Sequence, residues 1–248
     1  MDKLSQCFDI NGFKIEAQYE KSFVENTMVP LLRLWTTLYQ VKKRRILIFL
    51  AAPPAAGKSI MAEFFAYLSK QDDTLEDVQA LGMDGFHHYQ HYILSHDVMI
   101  DGVRVPMKRV KGCPESFDFH RLARLVAEIA HTDRAWPQYN RKLHDVEDDK
   151  IWVDKNIVLI EGNYLLLNEQ PWCELAKQCD VKIFIEAEAH TVKQRLLQRK
   201  LRGGSLPHEA ARFYEQSEKR NIERILNHRL PSDITIRFDG TRYHNITK

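Results

Sequence analysis

A lysine and a serine that end a loop of small residues are the first side chains here that could do chemistry. Residues 52–59 read A-P-P-A-A-G-K-S, after the apolar run 46–51 and before a helix-like segment, 60–69. Backbone N–H groups of such a loop, the N-terminus of the helix and the lysine can together cradle phosphate groups. The usual pattern is G-x-x-x-x-G-K-[ST], and Ala52 replaces its first glycine. Alanine fits there only with a negative φ.

This reading predicts a nucleotide at the loop, whereas the alternative is a surface turn that ends in a lysine. The residues that we expect to contact its phosphates are Ala55, Ala56, Gly57, Lys58, Ser59 and Ile60.

Two carboxylates support the nucleotide interpretation, because each follows an apolar run that is typical of a buried strand. Asp84 comes after 78–83, and Glu161 after 157–160. Ligands of open α/β sheets bind beyond the carboxyl ends of the strands, so both acids should lie near Lys58. We predict that Ser59 and Glu161 hold Mg²⁺, and that Asp84 orients and deprotonates an acceptor hydroxyl. The roles of the two acids could be exchanged, and either acid alone could be a helix cap or a surface residue.

Three arginines form the third candidate group. Arg195, Arg199 and Arg202 are four and three residues apart, so they share one face of a predicted helix, and two glycines follow at 203–204. A hinged segment of this kind, about 189–206, could close over a phosphoryl group and neutralise its oxygens. The alternative is an ordinary basic helix surface.

The elements that must position these groups alternate between strands and helices. Further strands are predicted at 181–185 and 234–238, and helices at 118–129, 189–202 and 207–226. This order predicts an α/β fold with a parallel sheet covered by helices on both faces. Before it, Asn11-Gly12 suits a hairpin turn and Pro30 opens an amphipathic helix. We therefore divide the chain into an extension, 1–44, and a main domain, 45–248.

The composition and net charge of the chain limit the classes of partner that we expect it to bind. The 248 residues carry a formal net charge of +2, which gives no case for nucleic acid or a membrane surface. The N-terminus lacks a signal-peptide pattern, and the four scattered cysteines do not form a disulfide scaffold. We expect a cytoplasmic protein. The Asn-Lys-x-Asp motif of common GTPases is absent from the sequence.

Five blocks together resemble the P-loop kinases of the uridine kinase, phosphoribulokinase and bacterial pantothenate kinase superfamily. They are the loop 52–59, M-D-G-F-H at 83–87, K-G-C-P-E-S-F-D at 111–118, P-Q-Y-N-R-K-L-H at 137–144 and I-E-G at 160–162. The arginines near 189–206 are also similar. Within the superfamily, the chain looks most like the nucleoside/nucleotide kinase-like, fructose-transport-system kinase branch. The resemblance implies a P-loop nucleoside triphosphate hydrolase fold with an arginine-bearing lid, and it implies ATP and Mg²⁺ as cofactors.

The resemblance also implies roles for individual residues. Asp84, Lys58 and Arg199 would be catalytic, and Arg195, Arg199 and Arg202 would lie near the phosphates. The residues that it suggests for the acceptor pocket are Asp84, His88, Tyr139, Arg141, His144 and Glu161.

The activity implied is transfer of a phosphate from ATP to a hydroxyl of a small molecule, namely a sugar, a nucleoside or a pantothenate-like alcohol. The alternative is an ATP-binding regulator or transport accessory without productive transfer, which the altered loop motivates. The extension could pack on the sheet edge or form a homodimer contact, and the sequence leaves both open.

Overall fold

The computed structural model describes residues 2–10 and 13–246. Its strands are β1 (Lys3–Ile10), β2 (Phe13–Glu20), β3 (Ile46–Ala51), β4 (Val78–Gly82), β5 (Asp97–Ile100), β6 (Val103–Pro106), β7 (Arg134–Asn140), β8 (Asp145–Val153), β9 (Ile157–Gly162), β10 (Val181–Ala187), β11 (Ile234–Phe238) and β12 (Tyr243–Ile246). Its α-helices are α1 (Lys21–Phe23), α2 (Val29–Lys42), α3 (Lys58–Ser69), α4 (Gln90–Ser95), α5 (Phe119–Ile129), α6 (Trp172–Leu175), α7 (Ala189–Arg202), α8 (Pro207–Phe213) and α9 (Lys219–Asn227).

A six-stranded sheet in the order β12-β11-β10-β3-β9-β4 forms the centre of the fold. All neighbouring strands are parallel except β11 and β12, which are antiparallel. Every residue of β3 is buried, as expected for the apolar run of a central parallel strand. The predicted α/β fold with a mainly parallel sheet is confirmed.

Helices cover both faces of this sheet. Side chains of a strand alternate between faces, so Ile46, Ile48 and Leu50 join one apolar cluster, whereas Leu47 and Phe49 join the other. The first cluster includes residues of α2 and α3, and the second includes residues of α5. The side chain of Asp118, the first residue of the helix predicted at 118–129, caps α5 by accepting a hydrogen bond from the backbone N–H of Arg121 at 3.0 Å.

The N-terminal strands β1 and β2 pair as an antiparallel hairpin. Its predicted Asn11-Gly12 turn lies outside the described residues. The hairpin packs on α3, where the ring centroid of Phe64 lies 6.2 Å from that of Phe8 and 4.6 Å from that of Tyr19. Tyr19 also belongs to the same apolar cluster as the central strand. The division of the chain at residue 44 stays a prediction.

Basic residues at the end of α2 and directly after it pair with acids of this chain. Lys42 and Arg44 both contact Asp180, each with an N–O distance of 2.6 Å, and Arg45 contacts Asp133 at 2.5 Å. The contacts with Asp180 tie the end of α2 to the start of β10, and the contact with Asp133 ties the start of β3 to the start of β7.

Two hairpins occupy stretches where the sequence predicted no strand. The first, β5 and β6, turns at Asp101, whose carboxylate pairs with Arg220 of α9 at 2.8 Å. The second, β7 and β8, has an irregular register around Pro137. It is anchored to the end of β4 by a hydrogen bond from Nε1 of Trp136 to the carbonyl of Gly82 at 2.9 Å. This second hairpin lies beside the site that follows.

Candidate active site

The loop between β3 and α3 has the shape of a phosphate cradle. Ala55 and Gly57 have positive φ angles of 61° and 93°, and Gly57 immediately precedes the first residue of α3. Ala52 is not among the residues with positive φ, so an alanine fits there without strain. The free N–H groups of the first turn of α3 are suited to an anion. All six residues predicted to contact phosphate lie in this loop and turn.

Glu161 lies next to the loop because β9 pairs with β3 and ends beside it. Oγ of Ser59 donates a hydrogen bond to Oε1 of Glu161 at 2.7 Å. Nζ of Lys58 lies 3.8 Å from Oε2 of the same carboxylate. The structure therefore brings the predicted lysine, the serine and one of the two acids together.

The carboxylate of Glu161 has the features of a cation ligand. Burial is the main cause that raises its pKa, Asp84 adds to the increase, and Lys58 opposes it. Among the described residues, its buried Oε2 has no hydrogen-bond partner. A carboxylate oxygen and a serine hydroxyl fit Mg²⁺, which takes only one or two ligands from the protein and the rest from water and phosphate. The pair Ser59 and Glu161 could hold this ion.

Asp84 lies in the turn after β4, on the opposite side of Glu161 from β3. Oδ2 of Asp84 is 3.8 Å from Nη2 of Arg141, and its backbone carbonyl lies 2.9 Å from Nδ1 of His87. Burial tends to raise the pKa of Asp84, but neighbouring groups, first His87 and then Lys58, outweigh it and lower the pKa. Because 39% of the side chain is exposed, the cost of ionising it is moderate. Asp84 is therefore a carboxylate at neutral pH.

Gly85 permits the hairpin β7–β8 to approach Asp84. A Cβ atom at this position would lie 2.1 Å from the carbonyl oxygen of Pro137, so a glycine is required for the contact. Tyr139, two residues later, lies with its ring centroid 5.2 Å from that of His87. Burial is the main cause that raises the pKa of Tyr139, to about 12, and Asp84 contributes. The predicted acceptor contacts Tyr139 and Arg141 are thus close to Asp84.

Lys111 joins this group, although no role was predicted for it. Its Nζ donates hydrogen bonds to Oε1 of Gln90 at 2.7 Å, to Oη of Tyr139 at 2.9 Å and to the carbonyl of His144 at 3.2 Å. The lysine thereby holds Tyr139 and the turn that contains His144 in place. The K-G-C-P-E-S block carried Lys111, but a sequence does not show which side chains it meets.

His88 lies apart from the other predicted acceptor contacts. It lines a cavity of about 250 Å³ together with Glu115, Asp118 and Trp172. Its neighbour His87 is the histidine that faces Asp84. The ring of Phe117, with its centroid 3.9 Å from that of His87, also lines this cavity. An acceptor role for His88 stays a prediction that this geometry does not support.

The three arginines all lie on α7, as expected, but in different surroundings. Cζ of Arg195 lies 4.5 Å from the ring centroid of Phe238, at the end of β11. Arg199 is among the groups that lower the pKa of Asp84, with a smaller effect than His87, Lys58 or Arg141. Arg202 is exposed in the last turn, before Gly203 and Gly204. A lid function for this helix stays a prediction.

Two other kinds of feature are absent from the described part of the chain. No helix in residues 2–10 and 13–246 is both long and apolar enough to cross a membrane. Nor do three or more His, Cys, Asp or Glu side chains in this part of the chain form a metal-binding group. The candidate magnesium site, with one carboxylate and one hydroxyl, is of a different kind.

The chain is similar in sequence and in fold to other proteins. No family model matches the chain. It is 40% identical to an uncharacterized protein, YggC, of Escherichia coli K12, over 95% of this chain and 96% of the relative. It is 30% identical to a candidate uridine kinase of Schizosaccharomyces pombe, over 78% and 83%. The crystal structure of a candidate fructose transport system kinase from Silicibacter sp. TM1040 superimposes with a TM-score of 0.69 and 28% identity, over 81% of this chain and 98% of that one.

A parallel sheet, a lysine-bearing phosphate loop and carboxylates at the ends of neighbouring strands are the arrangement of P-loop kinases. The motif resemblance and the relatives agree with it. The chain belongs to the P-loop kinases of the uridine kinase, phosphoribulokinase and pantothenate kinase superfamily.

Proposed function

We propose that this protein is a cytoplasmic, ATP-dependent phosphotransferase that phosphorylates a hydroxyl group of a small molecule. One observation carries the proposal: Asp84 and Glu161 lie at the carboxyl ends of the neighbouring strands β4 and β9, and both carboxylates are close enough to Lys58 to feel its charge. Nζ of Lys58 lies 3.8 Å from Glu161, and both Lys58 and Arg141 lower the pKa of Asp84. A protein that only binds a nucleotide needs the loop and a metal ligand, but it does not need a second, ionised carboxylate.

Each residue of the cluster has a distinct task in this proposal. Lys58 and the backbone N–H groups of residues 55–60 bind the β- and γ-phosphates. Ser59 and Glu161 hold Mg²⁺, which when bound neutralises charge on the phosphate oxygens. Asp84 accepts a hydrogen bond from the acceptor hydroxyl. It takes the proton of this hydroxyl as the hydroxyl oxygen bonds to the γ-phosphorus of ATP and the bond from that phosphorus to ADP breaks. Its lowered pKa keeps it ionised for this purpose.

The arginines of α7 complete the proposed site. Arg199, assisted by Arg195 and Arg202, stabilises charge on the phosphoryl group during transfer, and arginines in such positions contribute about 10³-fold or more to the rate. On the opposite side, Tyr139, Arg141 and His144 contact the acceptor. The names of two relatives refer to a nucleoside and to a sugar transport system. Nucleosides, sugars and pantothenate-like alcohols are therefore tested as acceptors.

The test measures ADP release by the purified protein with Mg-ATP and a panel of nucleosides, ketoses, polyols and pantothenate. We expect one class to raise turnover well above the rate without acceptor. The variant Asp84→Asn should bind ATP with unchanged affinity and lose at least about 10³-fold in kcat, because an amide cannot take the proton. Asp154→Asn, which changes an exposed carboxylate after β8, is the matched control and should retain activity.

Two results would contradict the proposal. Full transfer by Asp84→Asn at saturating acceptor would end the assignment of Asp84 as the base. Tight ATP binding without stimulation by any acceptor would favour the second candidate, an ATP-binding regulator or transport accessory.

A further inference from the structure

The C-terminal strand reaches the phosphate loop through one side chain, Tyr243. Its Oη donates a hydrogen bond to the carbonyl oxygen of Ala56 at 2.9 Å, although the two residues are 187 positions apart. Burial is the main cause that raises the pKa of Tyr243, so the hydroxyl keeps its proton at neutral pH and can donate it. This contact involves the loop itself, and neither the family motifs nor the proposed mechanism uses it.

The hydrogen bond fixes the orientation of the peptide between Ala56 and Gly57. A trans peptide is planar, so its C=O and N–H point in opposite directions. Because Tyr243 holds the carbonyl of Ala56 on its own side, the N–H of Gly57 must point to the other side. In a loop that cradles phosphate, the N–H groups have to point inward. The tyrosine therefore holds one of these donors in the orientation that binding requires.

The tyrosine is packed tightly against this peptide. A Cβ atom on Gly57 would lie only 2.1 Å from Oη of Tyr243. With Gly57 at a φ of 93°, the peptide is held in a conformation that side chains of L-residues rarely adopt. A contact from outside the loop helps to hold this backbone conformation. Ala55, two residues earlier, also has a positive φ, of 61°, although it is not a glycine.

Segments from both ends of the chain hold Tyr243 itself. Its ring centroid lies 4.7 Å from that of Phe238, 5.5 Å from that of Tyr19 and 6.0 Å from that of Phe23. Next to it, Nε of Arg242 pairs with Oε1 of Glu20 at 2.9 Å. The N-terminal hairpin and α1 thus pack against the tyrosine and help to hold it in place.

We propose that Tyr243 is a positioning residue of the phosphate loop, and that its hydroxyl sets the affinity of the site for the phosphates of a nucleotide. The inference rests on the part of the proposed function that places a nucleotide at this loop. It does not depend on phosphoryl transfer or on the identity of the acceptor.

The test compares ADP binding by the full-length protein and by Tyr243→Phe, measured by calorimetry with Mg²⁺ present. The variant keeps the ring and loses only the hydroxyl. We expect the dissociation constant for ADP to rise by about twofold to tenfold, the range for one hydrogen bond. In an assay with a stimulating acceptor, the KM for ATP should rise by a similar factor while kcat changes by less than about twofold.

Tyr19→Phe is the matched control, because it removes a hydroxyl from the same aromatic cluster. It should leave ADP affinity unchanged. An unchanged dissociation constant for Tyr243→Phe would overturn the proposal, as would an equal loss in Tyr19→Phe, since the effect would then be one of general packing. Failure of the wild-type protein to bind ADP would overturn it too. Wild-type binding without any transfer would count only against the proposed phosphotransferase activity.

Discussion

Oγ of Ser59 donates a hydrogen bond to Oε1 of Glu161 across 2.7 Å, and this contact joins the first turn of α3 to the end of β9. The two groups proposed to hold magnesium are therefore already in contact with each other. The second carboxylate oxygen lies 3.8 Å from Nζ of Lys58 and has no hydrogen-bond partner among the described residues. One carboxylate thus faces both the candidate metal position and the lysine of the phosphate loop.

The first prediction concerns Glu161→Gln. An amide can accept a hydrogen bond from Ser59, but it lacks the negative charge that Mg²⁺ requires of this ligand. We expect the Mg²⁺ concentration for half-maximal ADP release to rise by about tenfold or more. The measurement is ADP release as a function of Mg²⁺ at constant ATP. Glu174→Gln, which changes an exposed carboxylate paired with Lys177, should behave as the wild type. The same Mg²⁺ dependence in both variants would remove Glu161 from the metal site.

The second prediction concerns Lys111→Met, which removes three hydrogen bonds but keeps much of the side-chain volume. Tyr139 and the turn at His144 lose the ammonium that holds them. Hydrogen bonds to charged groups contribute about 1.5–3 kcal/mol, so we expect the KM for the acceptor to rise by about tenfold or more. The KM for ATP should stay constant, because Lys111 belongs to the acceptor side.

The comparison for this variant is Lys108→Met. Lys108 is exposed and lies three residues earlier in the same segment. Steady-state kinetics with each substrate varied in turn gives both KM values. A parallel rise of the two KM values in Lys111→Met would indicate general loosening of the fold and contradict a specific acceptor role.

The third prediction concerns the stability of the fold and its pH dependence. Burial would raise the pKa of Asp180, but hydrogen bonds from two cationic side chains and one backbone amide outweigh it and lower the pKa. A lowered pKa in the folded state means that ionised Asp180 stabilises the protein above the pKa of the unfolded chain, about 4. This contribution is lost as the pH falls through the lower pKa of the folded state.

Asp180→Asn should therefore lower the free energy of unfolding at pH 7, by about 1–3 kcal/mol. The difference from wild type should shrink as the pH falls below about 4. Urea titrations at several pH values measure it. Asp233→Asn is a useful comparison, because that residue also accepts a hydrogen bond from a backbone N–H, of Lys182, at the start of β10. A pH-independent difference for Asp180→Asn would show that its charge contributes nothing.

The sequence predicted the groups that local pattern determines. An uninterrupted apolar run before a small-residue loop was enough to find β3, the loop and α3. The helix predicted at 118–129 corresponds to α5, which begins at Phe119, directly after its capping residue Asp118. Asp84 and Glu161 were found because parallel strands bring their carboxyl ends to one edge, so the position of each acid along the chain also predicted its position in space.

Contacts between distant segments were not predictable in this way. Strand β7 contains Pro137, and β8 carries five charged residues among its nine, so neither reads as a strand. When two adjacent histidines follow a short turn, the sequence does not show which of them points toward the site. In the structure, His87 rather than His88 faces Asp84. The contact of Tyr243 with the loop joins residues 187 positions apart, so no local pattern indicates it.

The contact between Tyr243 and the loop also has an evolutionary consequence. Position 57 is restricted twice, by its φ of 93° and by the hydroxyl that lies where a Cβ would be. Substitution of Tyr243 would remove only the second restriction. The positive φ would still disfavour any residue other than glycine at position 57. Position 52, which lacks a positive φ, can drift between glycine and alanine at little cost. A lineage of such proteins can therefore lose the first glycine of the motif and keep a working loop, but it cannot lose the second.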